Sequence, residues 1–142
     1  HKHFIYGSML AVINSKNLTD YAKSISLMKI FLQIPNLNLV KAGFVCQLID
    51  GLVGCMDVHN IKTYGVDAKS LEYNKNCKTS RGIDNNRKKL IKYINLCHNY
   101  GTENLWNSWC SMIADKYPED FVDSNHVSEL HYTYLIGEWN ET

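Results

Sequence analysis

Apolar residues recur along the chain at spacings of three and four, which is the pattern of amphipathic α-helices. Strict alternation, the pattern of a half-buried strand, is not found over any convincing length, and no internal repeat is visible. The pattern predicts an all-α protein of about seven helices, some of them short, forming a single domain over residues 1–142. The helical stretches span residues 4–13, 18–32, 39–49, 57–64, 67–73, 84–98, 102–117 and a last stretch that begins near residue 124.

The segment 34–60 organises this pattern around a tight turn. Pro35 ends the helix before it, and Asn36 and Asn38 tolerate the backbone angles of a turn better than any residue except glycine. A second helix follows and is expected to end near Gly51; its apolar face consists of Leu39, Ala42, Val45, Cys46 and Ile49. The turn therefore leads into a helix N-terminus, where unpaired backbone N–H groups suit an anion such as phosphate.

A lone carboxylate, Asp57, follows that helix after a short loop. The turn (Ile34, Pro35, Asn36, Leu37, Asn38), the small Ala42 and the segment Met56, Asp57, Val58, His59, Asn60 together resemble the helix-hairpin-helix DNA glycosylase superfamily. In this resemblance the helix-hairpin-helix motif covers about residues 18–51 and the Asp-bearing segment covers residues 55–65. Both glycines of the family hairpin are Asn here, which together with the short chain points to a small member that is viral or otherwise divergent.

The resemblance implies cleavage or exchange of the N-glycosidic bond of a flipped, damaged or modified base, with Asp57 as the key carboxylate. The alternative interpretation of Asp57 is a helix cap and nothing more. The position of the lysine nucleophile in the family's lyase branch is Val40 here. Lys41, one position later, is the second catalytic candidate. The alternative interpretation of Lys41 is a phosphate-facing or solvated charge. The resemblance also implies a monovalent cation on the hairpin carbonyls and no other cofactor.

Candidate contacts to double-stranded DNA come from three places: the turn residues Pro35, Asn36, Leu37 and Asn38, the pair His59 and Asn60, and the basic helix face with Arg87 and Lys88. Charge supports this division, because residues 1–98 carry 14 basic and 6 acidic residues whereas residues 99–142 carry 1 and 8. The acidic part suits a basic protein partner. Solvated surface charge with no partner is an equally good explanation. The intervening segment 74–86 is expected to be a mobile or DNA-facing loop.

The remaining composition narrows the protein class. Five widely spaced cysteines, with no Cys-x-x-Cys pair, indicate reduced core residues and an intracellular location, such as cytoplasm or nucleoid. No histidine pair has metal-ligand spacing, so no metal site is predicted. No apolar run reaches the length of a membrane span. The rival to a glycosylase-like enzyme is a catalytically inactive helix-hairpin-helix module that binds DNA or a protein, for example a viral structural or accessory protein.

Overall fold

The computed structural model describes residues 2–117, and this part of the chain is all-α, as predicted. It contains six α-helices, one 3₁₀ turn (Ala68–Leu71) and no strand. The predicted last helix near residue 124 lies outside the described residues. The helices are α1 (Lys2–Ile13), α2 (Asp20–Phe31), α3 (Leu39–Ile49), α4 (Val58–Tyr64), α5 (Ser80–Tyr100) and α6 (Thr102–Lys116).

Short polar side chains begin several of these helices by accepting hydrogen bonds from first-turn amides. Thr19 accepts from Ala22 N at the start of α2, and Asp57 accepts from Asn60 N at the start of α4. Asp67 caps the 3₁₀ turn in the same way. The cap at Asp57 was offered by the sequence pattern and is confirmed. The contact with Asn60 N shows that Asp57 is a helix cap. A cap can also have a second role.

Helix α5 begins four residues before its predicted start at Asp84. Thr79 caps it by accepting from Gly82 N, so part of the segment expected to be a loop is helical. Gly82 lowers the helix propensity of this turn. A side chain at Gly82 would overlap the Cys77 sulfur, so close packing against Cys77 explains the glycine. The expectation of a loop over residues 74–86 is therefore wrong for its second half.

The helices pack around one core, and several contacts join helices that are distant in the chain. Helix α1 packs on α2, α2 packs on both α3 and α5, and α6 packs on α4 and α5. The largest fully buried side chains include Trp109, Tyr93, Leu27, Met28 and Leu37. Within residues 2–117, no helix combines the length and apolar character that crossing a membrane requires. All five cysteines are free thiols, and Cys46, Cys55 and Cys97 are buried in this core.

The loop between α3 and α4 is buried and is held by the side chain of Tyr93. The Tyr93 hydroxyl donates to the Gly54 carbonyl (2.8 Å) and accepts from the Met56 amide (3.1 Å). A Cβ at Gly43 of α3 would stand 2.7 Å from the Gly54 carbonyl oxygen and would overlap the Tyr93 hydroxyl. The loop therefore folds back along α3, and a glycine at position 43 makes this approach possible.

Candidate nucleic-acid interface

Residues 32–38, called here the Pro35 turn, connect α2 to α3 at the protein surface. Pro35, Asn36 and Asn38 are exposed, and Asn36 adopts the left-handed conformation with φ = 70°. Among residues 2–117 it is the only residue other than glycine with a positive φ. The turn closes through a bond from Leu37 N to the Ile34 carbonyl (3.2 Å). The predicted tight turn is thus present, and asparagine supplies its unusual backbone angle.

Leu37 differs from its neighbours in the turn because its side chain is fully buried. Its amide is already bonded to Ile34 O, and its carbonyl accepts from Lys75. The side chain anchors the turn to the core. Its burial argues against the direct DNA contact that was expected of Leu37.

The N-terminus of α3 faces the same surface as the turn. Asn38 is the N-cap residue, with an extended backbone (φ −99°, ψ −173°), but its side chain makes no capping hydrogen bond. The first amides of a helix have no partner within the helix. A helix start that lacks a side-chain cap and lies next to exposed turn residues is a suitable site for a phosphate oxygen.

Lys75 reaches the turn from a distant part of the chain. Its ammonium donates to the carbonyls of Ile34 (2.7 Å) and Leu37 (2.8 Å). Burial lowers the pKa of Lys75 below its ordinary value. The carbonyls on which a monovalent cation was expected are therefore bonded to a side-chain ammonium of this chain. Nothing in the sequence pattern of the segment 74–79 singled out this lysine.

The segment that carries Lys75 is anchored to α5. Asn74 N donates to the Asn86 side-chain oxygen (3.1 Å), and the Asn86 amide donates to the Asn74 carbonyl (2.6 Å). Asn86 is 8% exposed whereas Asn74 is exposed, so this pair of bonds is partly buried. The first half of the expected mobile loop is therefore pinned by hydrogen bonds. The segment is held by the buried side-chain amide of Asn86 on α5, which the sequence pattern around residue 74 does not reveal.

Two surface clefts flank Lys75. One, of about 500 Å³, is lined by turn residues, by Tyr73 and by the segment 74–76. The other, of about 230 Å³, includes Tyr73, Lys75, Ile83 and Asn86. The Pro35 turn, the Lys75 segment and the start of α5 thus form one continuous surface, which we call the turn surface.

Arg87 and Lys88, the predicted basic pair, are exposed on α5. Arg87 follows Asn86, which lines the smaller cleft, so the pair lies on the same half of α5 as the turn surface. Both side chains lie 3.3 Å from the Asp84 carboxylate. Exposed ion pairs of this kind contribute little to stability. Arg87 and Lys88 could therefore leave Asp84 and bind a phosphate with little loss of folding stability.

Asp57 lies at the buried start of α4. It is 8% exposed, and one carboxylate oxygen accepts from Asn60 N (3.0 Å). Burial raises the pKa of Asp57 above its ordinary value, and the hydrogen bond from Asn60 N partly opposes this rise. Asp57 does not line either cleft described above. A reacting sugar would reach this carboxylate only through its small exposed fraction.

His59 and Asn60, the predicted DNA contacts beside Asp57, connect α4 to α6. The Asn60 side chain is fully buried and donates to the carbonyls of Cys55 (2.7 Å) and Leu105 (3.1 Å). His59 Nε2 lies 3.0 Å from Ser108 Oγ. Asn60 therefore braces the interior, and its burial argues against direct contact with DNA. His59 is half-buried and already has a protein partner.

Lys41, the second catalytic candidate, is half-buried in the first turn of α3. It is therefore close to the N-terminus of α3 and separated by sixteen positions from Asp57. Its position on the first turn fits a phosphate-facing charge. No contact between Lys41 and Asp57 is present.

The two tryptophans of α6 are engaged in packing. Trp109 is fully buried, stacks on Trp106 at a centroid distance of 5.6 Å and meets Phe44 edge-on. Tyr73 differs because it is half-buried and lines both clefts. Within residues 2–117, His, Cys, Asp and Glu side chains do not gather in threes as a metal site would require.

Sequence reasoning missed two residues that shape this region, Lys75 and Tyr93. Tyr93 follows Leu90 by three positions and precedes Cys97 by four, so helical periodicity places it on the inner face of α5. Periodicity therefore could have found Tyr93. Lys75 carried no such signal, because its partners are backbone carbonyls about 40 positions away.

Comparison of the chain with protein-family models, with curated proteins and with solved structures finds no match. Function is therefore argued from the turn surface and from Asp57.

Proposed function

We propose that the chain binds the phosphate backbone of double-stranded DNA, using the Pro35 turn and the first turn of α3 as a helix-hairpin-helix module. The observation that carries this proposal is the exposed, left-handed Asn36 turn leading directly into a helix start that has no side-chain cap. Such a helix start presents backbone N–H groups and the positive end of the helix dipole.

The charge around the turn surface supports the same partner. Lys75 lines both clefts, and four more exposed basic residues follow it within thirteen positions of the chain: Lys78, Arg81, Arg87 and Lys88. Phosphate contacts from lysine and arginine supply most of the sequence-independent affinity for DNA. The turn would contact one phosphate through backbone groups, while these side chains contact its neighbours.

The substitution Asn38→Asp tests the proposal without removing the helix start. Aspartate is as good an N-cap as asparagine and stabilises a helix N-terminus, so the fold is expected to survive. Its negative charge, however, would repel a phosphate at the same position. A repulsion of about 1 kcal/mol at this range predicts an affinity loss of about fivefold.

Fluorescence anisotropy with a labelled 20-base-pair duplex measures this loss. Asn107→Asp, an exposed position on α6, is the matched control because it changes the net charge equally. We expect the control to bind almost as tightly as the wild type, and the affinity of both to fall steeply with salt. Equal binding by the two variants would rule out the turn as the phosphate site, and absence of wild-type binding at low salt would reject the DNA proposal.

A second candidate function, cleavage or exchange of an N-glycosidic bond, depends on the carboxylate of Asp57, a residue that is 8% exposed. A carboxylate whose pKa is raised by burial, next to a helix N-terminus, can stabilise the positive charge that develops on a sugar as its base departs. This enzyme would use the turn surface to hold DNA and would extrude the target nucleotide toward Asp57. The catalytically inactive module is the same protein without this step.

Duplexes containing uracil, oxidised, alkylated or hypermodified bases distinguish the enzyme from the inactive module. Free base released by the wild type and abolished in Asp57→Asn would support catalysis, because asparagine keeps the cap but not the charge. DNA binding that is unchanged by Asp57→Asn, together with no release from any duplex, would favour the inactive module.

A further inference from the structure

We propose that the Lys75 ammonium acts as a built-in cation that holds the Pro35 turn in its phosphate-binding conformation. This inference rests on the proposed function for its purpose, but its structural part is independent of DNA. It assigns Lys75 as a positioning residue of the turn surface.

The Lys75 ammonium lies between two backbone carbonyl oxygens of the turn. The carbonyl oxygens of Ile34 and Leu37 both approach the Lys75 ammonium, at 2.7 Å and 2.8 Å. Two carbonyl dipoles that converge on one point repel each other unless a positive group lies between them. Helix α3 starts after its N-cap residue Asn38, so the Leu37 carbonyl lies outside the helix and accepts no hydrogen bond from the amide of residue 41. Lys75 supplies the partner of this carbonyl instead.

The lysine is held in place from the opposite side. The Asn74–Asn86 pair of hydrogen bonds fixes the residue before Lys75 to α5, and Asn76 N bonds to the Asn74 side-chain oxygen (3.1 Å). A side chain presented by a braced segment loses less conformational freedom when it binds. The two hydrogen bonds from Lys75 to the carbonyls of Ile34 and Leu37, called here the clamp, are therefore part of the fold and form before any ligand binds.

The ammonium also has a donor to spare. A lysine ammonium carries three N–H donors, and two of them bond to the turn carbonyls. The third is available to a phosphate oxygen at the start of α3, in addition to the backbone amides there. Lys75 would thus shape the turn and add charge to the same site.

Replacement of Lys75 by methionine keeps the apolar stem and removes only the cation. Because an ammonium and a potassium ion are close in size, and backbone carbonyls can replace the hydration shell of K⁺, potassium is expected to occupy the vacated position. Lys78→Met is the matched control: it removes the same charge from an exposed lysine three positions along the chain.

The experiment compares thermal unfolding of the wild type, Lys75→Met and Lys78→Met in potassium chloride and in tetramethylammonium chloride at equal ionic strength. Tetramethylammonium is too large to fit between two carbonyls. We expect Lys75→Met to melt at least about 4 °C lower than the control in tetramethylammonium chloride and to recover at least half of this loss in potassium chloride. The melting temperatures of the wild type and of Lys78→Met should not depend on which cation is present.

Amide hydrogen exchange at Leu37 gives a local measurement that does not depend on the overall melting temperature. In Lys75→Met without potassium, exchange at Leu37 should accelerate at least tenfold relative to exchange at Tyr93 in the core. Melting and exchange indistinguishable from Lys78→Met, or a loss that is the same in both salts, would overturn the proposal.

Duplex binding by the same three proteins separates this inference from the proposed function. Potassium-dependent melting of Lys75→Met in a chain that binds no DNA would keep the clamp and reject the proposed function. Weaker DNA binding of equal extent in Lys75→Met and Lys78→Met, with no salt-specific melting, would reject the clamp and keep the function, because each variant loses one phosphate-contacting charge.

Discussion

Removal of the Tyr93 hydroxyl is the most direct test of how the loop before Asp57 is held. The substitution Tyr93→Phe removes one oxygen and keeps the ring that fills the core. The hydroxyl makes two hydrogen bonds, at 2.8 Å to Gly54 O and at 3.1 Å from Met56 N, and all three residues are buried. Both backbone groups are buried, so neither can replace the lost hydroxyl with water.

The magnitude follows from the cost of an unsatisfied buried polar group, about 1–3 kcal/mol each. The Cys97 thiol lies 3.5 Å from Gly54 O and remains as a weak donor, so the carbonyl is expected to cost the lower end of this range. The total loss in free energy of unfolding should therefore be about 2–4 kcal/mol. For a domain of this size, the melting temperature should fall by roughly 8–16 °C.

Urea unfolding followed by tryptophan fluorescence measures this loss as a lower midpoint with an unchanged slope. Tyr21→Phe is the matched control, because Tyr21 is 39% exposed and removal of its hydroxyl exposes no buried partner; it should change stability by less than about 0.5 kcal/mol. If Tyr93→Phe is as stable as this control, the loop backbone obtains its hydrogen bonds elsewhere and the bracing role assigned to Tyr93 is wrong.

Three further predictions concern single positions. Asp57→Ala should lower the free energy of unfolding by about 1–2 kcal/mol because the buried Asn60 amide loses its acceptor, whereas Asp57→Asn keeps one. Burial raises the pKa of Asp57 in the folded state, so the stability of the wild type relative to Asp57→Asn should fall as pH rises through that pKa. Urea titrations of the two proteins at a series of pH values measure this fall. Asn36→Ala should cost about 1 kcal/mol at φ = 70°, and Asn36→Gly should cost nothing; equal melting of the two would contradict the left-handed turn. Cys77, whose pKa is lowered by hydrogen bonds from Thr79, should be the first cysteine alkylated by iodoacetamide, at a rate that rises with pH and falls in Thr79→Ala, as mass spectrometry of quenched samples would show.

Local chemistry made much of the fold predictable. The helical period, the caps Thr19, Asp57 and Asp67, and the break at Pro35 depend on residues within a few positions of each other, and the structure has each of them. The start of α5 was missed because Gly82 weakens the local helix signal. Position 82 is a glycine because a side chain there would overlap Cys77, which lies outside the helix.

The candidate site was less predictable because its decisive contacts join distant segments. Asn60 looked available to DNA beside Asp57, but α6 covers it through the Leu105 carbonyl, 45 positions away. Lys75 looked like one of several loop lysines, yet its partners are backbone oxygens without any side-chain signature. Helical period reports which face of a helix is apolar, not which segment will lie against it.

The bond from Lys75 to the turn also determines how far the turn can be transplanted. A fragment ending at the last residue of α3 would contain Pro35, Asn36 and both acceptor carbonyls, but would leave the donor behind. Engineers who graft this turn onto another helical scaffold must therefore bring the segment 74–76 and its Asn86 anchor along, or design a replacement for both.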